Sequence, residues 1–351
     1  MDLRRLGPSG PEISILAYGL MSLSHTYGPS EDAESLETIQ AAIDEGITLL
    51  DTAEIYGMGH NERLFSRVLD KRRHEVVVAT KFGLELGDGG MRANGRPKNV
   101  RRAIEGSLER LGIETVDLYY LHRLDPDVPI EETVGAMARL VDEGKVRFLG
   151  LSEVNADSLR RASKEHPIAA LQSEYSVFQR APEGHAEGRA EGLSEGNAEA
   201  HGETDEQAAR ESVLDVCREL GTTFVAFSPL GRGLLTGTVR SAEALDERDM
   251  RRHSPQLDAE NLEHNLSVVD AFTRLAAERE VEPGQLALAW ALARDVVPLF
   301  GTRRAERVRA NARAARIELD AALLERIEEI APPGAIRGTG IPAAMEKLKQ
   351  R

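Results

Sequence analysis

Asp51, Tyr56, Lys81 and His122 stand just past runs that read as short apolar strands at 48–50, 76–80 and 116–121, with Tyr56 on the loop that Asp51 opens. Together they bring a phenol, an ammonium beside it, a carboxylate to hold the ammonium, and an imidazole. A free tyrosine has a pKa of about 10. A neighbouring ammonium stabilises phenolate, so Lys81 is expected to lower the Tyr56 value toward working pH. Asp51 would keep Lys81 charged and oriented, and His122 could hydrogen-bond a carbonyl oxygen and fix its direction. That equipment suits protonation of a carbonyl oxygen while a hydride arrives from elsewhere. Taken singly, Asp51 reads as a helix cap, Lys81 as a solvated charge and His122 as a satisfied core histidine. Four such residues, each placed by a strand end, favour a shared site.

The elements that must position them alternate along the chain. Residues 3–6 and 12–15 flank GlyProSerGlyPro, a hairpin pattern. Strands are expected at 15–19, 47–52, 76–80, 116–121, 146–151, 168–172, 222–227 and 296–300. Helices are expected near 31–45, 61–69, 100–111, 130–143, 157–165, 209–220, 261–279, 284–293, 304–313 and 320–330. Ser30 and Asn99 are the expected N-caps of two of them, and Asn155 or Asp157 of a third; Gly46, Gly112 and Gly144 are expected stops. Strands this apolar, alternating with helices, imply a parallel sheet. Eight such units favour a closed (β/α)8 TIM barrel with an N-terminal β-hairpin and extra C-terminal helices and tail, in one domain spanning 1–351. A Rossmann sheet would want a Gly-rich fingerprint after the first strand, which Gly19LeuMetSerLeuSer does not supply. In a barrel, the C-terminal strand ends converge on one mouth, which brings the four residues together.

The segment 182–206 is of another kind. It opens as a tetrapeptide repeat with Glu as the second residue of each unit, rich in Gly and almost without apolar residues. Such a stretch cannot offset its ordering entropy by burial, so a mobile loop is expected after the sixth strand, on the barrel's C-terminal face.

Bulk properties exclude several classes. The chain has 351 residues, 41% of them hydrophobic, and a formal net charge of −15. An acidic chain disfavours nucleic acid as a partner. The longest apolar runs fall well short of the ~20 residues that span a bilayer, so no membrane partner is expected. The N-terminal residues lack an apolar signal core. Cys217 is the only cysteine and reads as core, which fits a reducing, cytoplasmic compartment. His25, His60, His74 and His122 show no zinc-site spacing, and no GlyXaaSerXaaGly elbow is present.

A resemblance covers nearly the whole chain in order. GlyIleThrLeuLeuAspThrAlaGluIleTyrGly (46–57) with AsnGluArgLeu (61–64), AlaThrLysPheGly (79–83) and AspLeuTyrTyrLeuHisArgLeuAsp (117–125) resemble the aldo-keto reductase signature segments. The likeness continues through 144–153, 171–176, PheSerProLeuGlyArgGlyLeuLeuThrGly (227–237) and ValProLeuPheGlyThrArgArg (297–304), and is nearest to the bacterial and plant branch similar to auxin-induced and pyridoxal-type reductases.

The resemblance implies NADP(H) bound extended across the barrel mouth, a small-molecule carbonyl substrate, and Tyr56 as proton donor. Ser152, Glu153 and Gln172 match the positions that hold the nicotinamide carboxamide, Phe227 the ring stacked on the nicotinamide, and Met21 and Asp51 further cofactor contacts. Ser228, Leu230, Gly231, Arg232 and Gly233 match the segment around the pyrophosphate. Read physically, its glycines let backbone amides approach an anion, and Arg232 adds charge. Gly301, Thr302, Arg303 and Arg304 open a helix after strand eight, with Arg307 one turn on. That is the usual phosphate position of barrels, and these arginines favour a 2′-phosphate and hence NADP over NAD. Asn311 matches the adenine-contacting Asn. The chain departs from the pattern at Ala310, where a Glu is usual, at Glu153 in place of Asn, and in a tail (338–345) without a tyrosine before its Pro. The same fold resembles channel β-subunits, so a catalytically weak, cofactor-sensing partner subunit is the alternative. Substrate identity and oligomeric state are not readable from the sequence.

Overall fold

The computed structural model describes residues 1–87, 90–184 and 211–341. Strands β1 (Leu3–Arg5) and β2 (Glu12–Ser14) form the antiparallel hairpin. Strands β3 (Ala17–Gly19), β4 (Leu49–Asp51), β5 (Val77–Phe82), β8 (Val116–Leu121), β9 (Val146–Ser152), β10 (Ile168–Glu174), β11 (Thr223–Phe227) and β12 (Val297–Phe300) pair in parallel, and β12 closes back on β3. This is the expected (β/α)8 TIM barrel. Helices α1 (Asp32–Asp44), α2 (His60–Arg72), α3 (Pro97–Leu111), α4 (Ile130–Asp142), α5 (Ala156–Glu165), α6 (Val213–Leu220), α7 (Ala259–Glu278), α8 (Pro283–Ala293), α9 (Ala305–Ala312) and α10 (Ala321–Ile330) surround it.

Two cores follow from the period of two along each strand. One face of the strands packs outward on the helices, through Tyr18, Leu50, Val78, Tyr119, Leu149, Leu171 and Ala226. The other fills the barrel with Ala17, Leu49, Val77, Ala79, Leu118, Tyr120, Ala170, Val225 and Val297, and the hairpin's Leu6 and Ile13 join this cluster. Gly150 is required here, because a Cβ at this position would lie 2.4 Å from the Tyr120 ring. The same parity, carried one step further up each strand, sets the inward residues of the top layer: Asp51, Lys81, His122, Ser152, Gln172 and Phe227.

Several helix ends differ from expectation. Glu31, not Ser30, is the N-cap of α1; the Ser30 hydroxyl donates to the Leu23 carbonyl at 2.9 Å instead. Helix α3 begins at Pro97, whose ring presets φ, so Asn99 lies inside its first turn and donates to the Asn94 carbonyl at 2.9 Å. Asn155 does cap α5, accepting from the Ser158 N–H at 2.9 Å. A hairpin of β6 (Leu84–Gly87) and β7 (Gly90–Ala93), unexpected from the sequence, stands above the mouth. The repeat expected to be mobile lies, from residue 185 on, outside the described residues. No helix among the described residues is long and apolar enough to cross a membrane.

Candidate active site

At the floor of the mouth, the Lys81 ammonium is fully buried and donates to three acceptors. These are an Asp51 carboxylate oxygen, the Thr52 carbonyl at 3.0 Å and the Tyr56 hydroxyl at 3.3 Å. All three of its protons are therefore placed. The second Asp51 oxygen accepts from Gln172 Nε2 at 3.0 Å. The Tyr56 and His122 rings meet edge-on, with centroids 5.8 Å apart. The expected quartet is thus assembled in space.

A buried scaffold fixes the loop that carries Tyr56. Thr52 donates to Asn61 Oδ1 at 2.6 Å, and Asn61 Nδ2 donates to the Leu20 carbonyl at 2.8 Å. Glu62 accepts from the Thr80 hydroxyl and from Arg110 Nε, each at 2.6 Å. Asn61 and Glu62 therefore tie strand ends β4 and β5 to helices α2 and α3.

The electrostatics correct one expectation. Burial raises the Tyr56 pKa; Lys81 works against that and Asp51 adds to it, and the net shift is upward. The direction expected for the lysine's contribution is right, but desolvation of the phenolate outweighs it. Burial also opposes the Lys81 ammonium, yet Asp51 and Tyr56 together move it upward, so Lys81 stays charged. The His122 pKa falls well below its usual 6.5 through burial, with the Arg123 and Lys81 charges acting the same way. The ring is neutral, and its buried Nδ1 has no partner among the described residues.

A cleft of about 650 Å³ runs from this floor across the mouth. Its wall includes Met21, Asp51, Tyr56, His122, Ser152, Gln172, Phe227, Ser228, Leu230, Arg232, Gly233, Gly301, Thr302, Arg303, Arg307 and Asn311. Those expected contacts are brought to one surface. Two others are not. The Glu153 carboxylate accepts from the Glu174 N–H at 2.7 Å, and Glu153 is absent from the wall. Gly231 stands behind it, at φ 54°, where a Cβ would lie 3.3 Å from Phe178. Arg232 also needs correction as a source of free charge: it is partly buried and salt-bridged to Glu174 at 3.1 Å. Arg307 pairs with Glu282 at 2.8 Å, both about half exposed, whereas the Arg303 guanidinium donates to the Pro29 carbonyl at 2.7 Å and forms no salt bridge to a carboxylate among the described residues.

Residues not singled out from the sequence complete the wall. Leu84 and Met91 of the β6–β7 hairpin and Ile55 add apolar surface, and Arg123 a buried cation. Tyr27 pairs in a bridge with Asp249, and the Arg251 guanidinium lies 4.4 Å from the Tyr27 ring centroid, so two loops meet at the cleft. Arg123 is visible in the HisArgLeuAsp segment, but nothing in its spacing assigns it a task. Among the described residues no cluster of three or more His, Cys, Asp or Glu could hold a metal ion.

The arrangement can hold an extended anionic ligand above a proton donor. Residues 227–233 supply the cradle, Gly301–Arg307 supply cations, and the quartet forms the floor. Residues 15–332 match the model of the aldo/keto reductase family. The chain is 37% identical to the soybean (Glycine max) protein called probable aldo-keto reductase 1 over 95% of this chain and 90% of that one. It is 35% identical to the Schizosaccharomyces pombe aldo-keto reductase yakc, whose name carries NADP(+), over 94% of this chain and 92% of that one. Among solved structures it resembles a glycerol dehydrogenase of Gluconobacter oxydans, with TM-score 0.78, 27% identity and 95% and 96% of the two chains covered. An aldo-keto reductase of Bacillus halodurans in its holo form matches with TM-score 0.71 and 26% identity over 95% and 97%. The chain belongs to the aldo/keto reductase family, whose members are NADP-dependent oxidoreductases acting on carbonyl and alcohol groups.

Proposed function

We propose that the protein is an NADPH-dependent carbonyl reductase in which Tyr56 delivers the proton. The observation that carries this reading is the convergence of the Tyr56 hydroxyl, the Lys81 ammonium and the His122 ring at the floor of a cleft. The cleft fits a dinucleotide in its donor set. Gly231 and Gly233 bend the 228–233 loop at φ 54° and 100°, and Arg303 and Arg307 line the far end. NADPH, when bound, supplies the hydride. Ser152 and Gln172 would hold its carboxamide, Phe227 would stack on the nicotinamide ring, and Asn311 would meet the adenine. Arg303 would take the 2′-phosphate, with Arg307 released from Glu282.

The chain's own groups account for the proton. Tyr56 keeps its O–H, because burial holds the phenol protonated. It donates that proton to the carbonyl oxygen as negative charge develops there. Lys81, 3.3 Å away, stabilises the phenolate left behind, and Asp51 keeps the lysine aimed. The uncharged His122 ring, with its proton on Nε2, hydrogen-bonds the same oxygen and orients it. That tautomer leaves a lone pair, not a donor, at the buried Nδ1. In the alcohol-to-carbonyl direction the same residues take the proton back.

The test is NADPH consumption with 4-nitrobenzaldehyde. Turnover with NADPH exceeding that with NADH is expected; no consumption with this or related activated aldehydes contradicts the reading. The alternative of a cofactor-sensing partner subunit draws no support from the relatives, which are named as reductases and a dehydrogenase.

A further inference from the structure

Arg123 has a guanidinium with only 9% of the residue exposed, yet no salt bridge to a carboxylate among the described residues. Two partly buried arginines on the cleft wall differ. Arg232 is held by Glu174 at 3.1 Å and Arg251 by Asp249 at 2.6 Å. A charge removed from water without a counter-ion is costly, and folded proteins pair such groups or use them. Arg123 Nη1 donates to the His122 carbonyl at 2.6 Å and to the Ser152 hydroxyl at 3.1 Å. Its Nε and Nη2 make no hydrogen bond among the described residues, and the side chain lines the cleft.

The position is informative. Arg123 follows His122 directly, so it sits beside the groups that orient the carbonyl oxygen. Ile55, Leu84 and Met91 make the neighbouring wall apolar. Asp51, the acid on the floor, is engaged by Lys81 and Gln172. A desolvated guanidinium with one edge anchored and the other open is suited to a planar anion, which it can bind through two parallel N–H groups.

We propose that Arg123 is a specificity-determining residue that pairs with a carboxylate on the substrate, and that the preferred substrates are aldehydes or ketones carrying such a group a few bonds from the reacting carbonyl. This rests on the reductase reading above. Nη1 holds the fork in place through His122 and Ser152, and Nε and Nη2 meet the substrate.

The test compares 4-carboxybenzaldehyde and its ortho isomer with 4-nitrobenzaldehyde, whose nitro group matches the carboxylate in shape but carries no net charge. The proteins are the wild type, Arg123→Met and Arg123→Lys. In the wild type, the better carboxybenzaldehyde should show a lower KM than the nitro compound. In Arg123→Met, the ratio of kcat/KM for the carboxylate to that for the nitro compound should fall on the order of 30-fold, mainly through KM. Arg123→Lys should recover part of the ratio, since it keeps the charge but loses the fork. An equal loss on all three aldehydes, or a loss that follows weaker NADPH binding in a fluorescence titration, would overturn the proposal and make Arg123 a structural or cofactor residue. If the wild type reduces none of the aldehydes, the reductase reading itself fails.

Discussion

A tyrosine that serves as an acid has to hold its proton until negative charge develops next to it. Burial does the holding at Tyr56, and Lys81 offers the stabilisation that matters only once the proton has gone. The rate of reduction should therefore stay level through neutral pH, with no break near 6.5 from the buried, neutral His122, and should fall only on the alkaline side, above the phenol's ordinary 10. A pH profile of kcat/KM checks this; a bell centred near neutrality would contradict it. Lys81→Met should lower kcat by about 100-fold or more while NADPH still binds. His122 also bears on stability. Its folded pKa lies below the unfolded value, so the unfolded chain binds more protons in acid. Its contribution is intact above about pH 6.5 and is lost as pH falls toward the folded value. The thermal midpoint of the wild type should drop below that pH, and that of His122→Gln should drop less steeply. The quartet is legible in the sequence because each member follows an apolar strand. The sign of the Tyr56 shift is not, because desolvation depends on walls built by residues far along the chain. Glu153 and Arg232 are misread for the same reason: their partners, the Glu174 N–H and the Glu174 carboxylate, become neighbours only when the barrel closes.

The strands are easy to read because buried parallel strands are nearly all apolar, and their inward parity continues into Asp51, Lys81 and His122. The β6–β7 hairpin is not, since its strands are only four residues each, LeuGluLeuGly and GlyMetArgAla, and are too short and glycine-rich to show a clear period. The loop after β11 is the element on which the cofactor reading leans. Gly233 has φ 100°, and a Cβ there would lie 2.8 Å from Val239 Cγ2. Gly233→Ala should therefore cost about 1–2 kcal/mol of stability or more and raise the Kd for NADPH, read by thermal unfolding and by fluorescence titration. The entry to α9 carries the nucleotide choice. Replacing Arg303 and Arg307 together by Ala should raise the KM for NADPH by about tenfold or more and leave NADH much less affected. Equal effects on the two cofactors would move the 2′-phosphate site elsewhere.

On the scale of the molecule, the proposed function asks a chain of net charge −15 to bind an anionic dinucleotide. Local arginines at the cleft have to outweigh the long-range repulsion, and both are screened by salt over ~10 Å at 0.1 M. If the local field dominates, the KM for NADPH should rise with ionic strength more than that for NADH. The closed barrel also explains why four residues spread over 51–122 meet at one floor: strand ends β4, β5 and β8 are neighbours in the sheet, and the hairpin closes the opposite end. The central claim is that Tyr56 supplies the proton. It is tested most directly by Tyr56→Phe, which removes one hydroxyl and keeps the ring against His122. With NADPH and 4-nitrobenzaldehyde the variant should bind NADPH like the wild type and lose turnover by about 1,000-fold or more. Wild-type turnover in that variant would contradict the assignment.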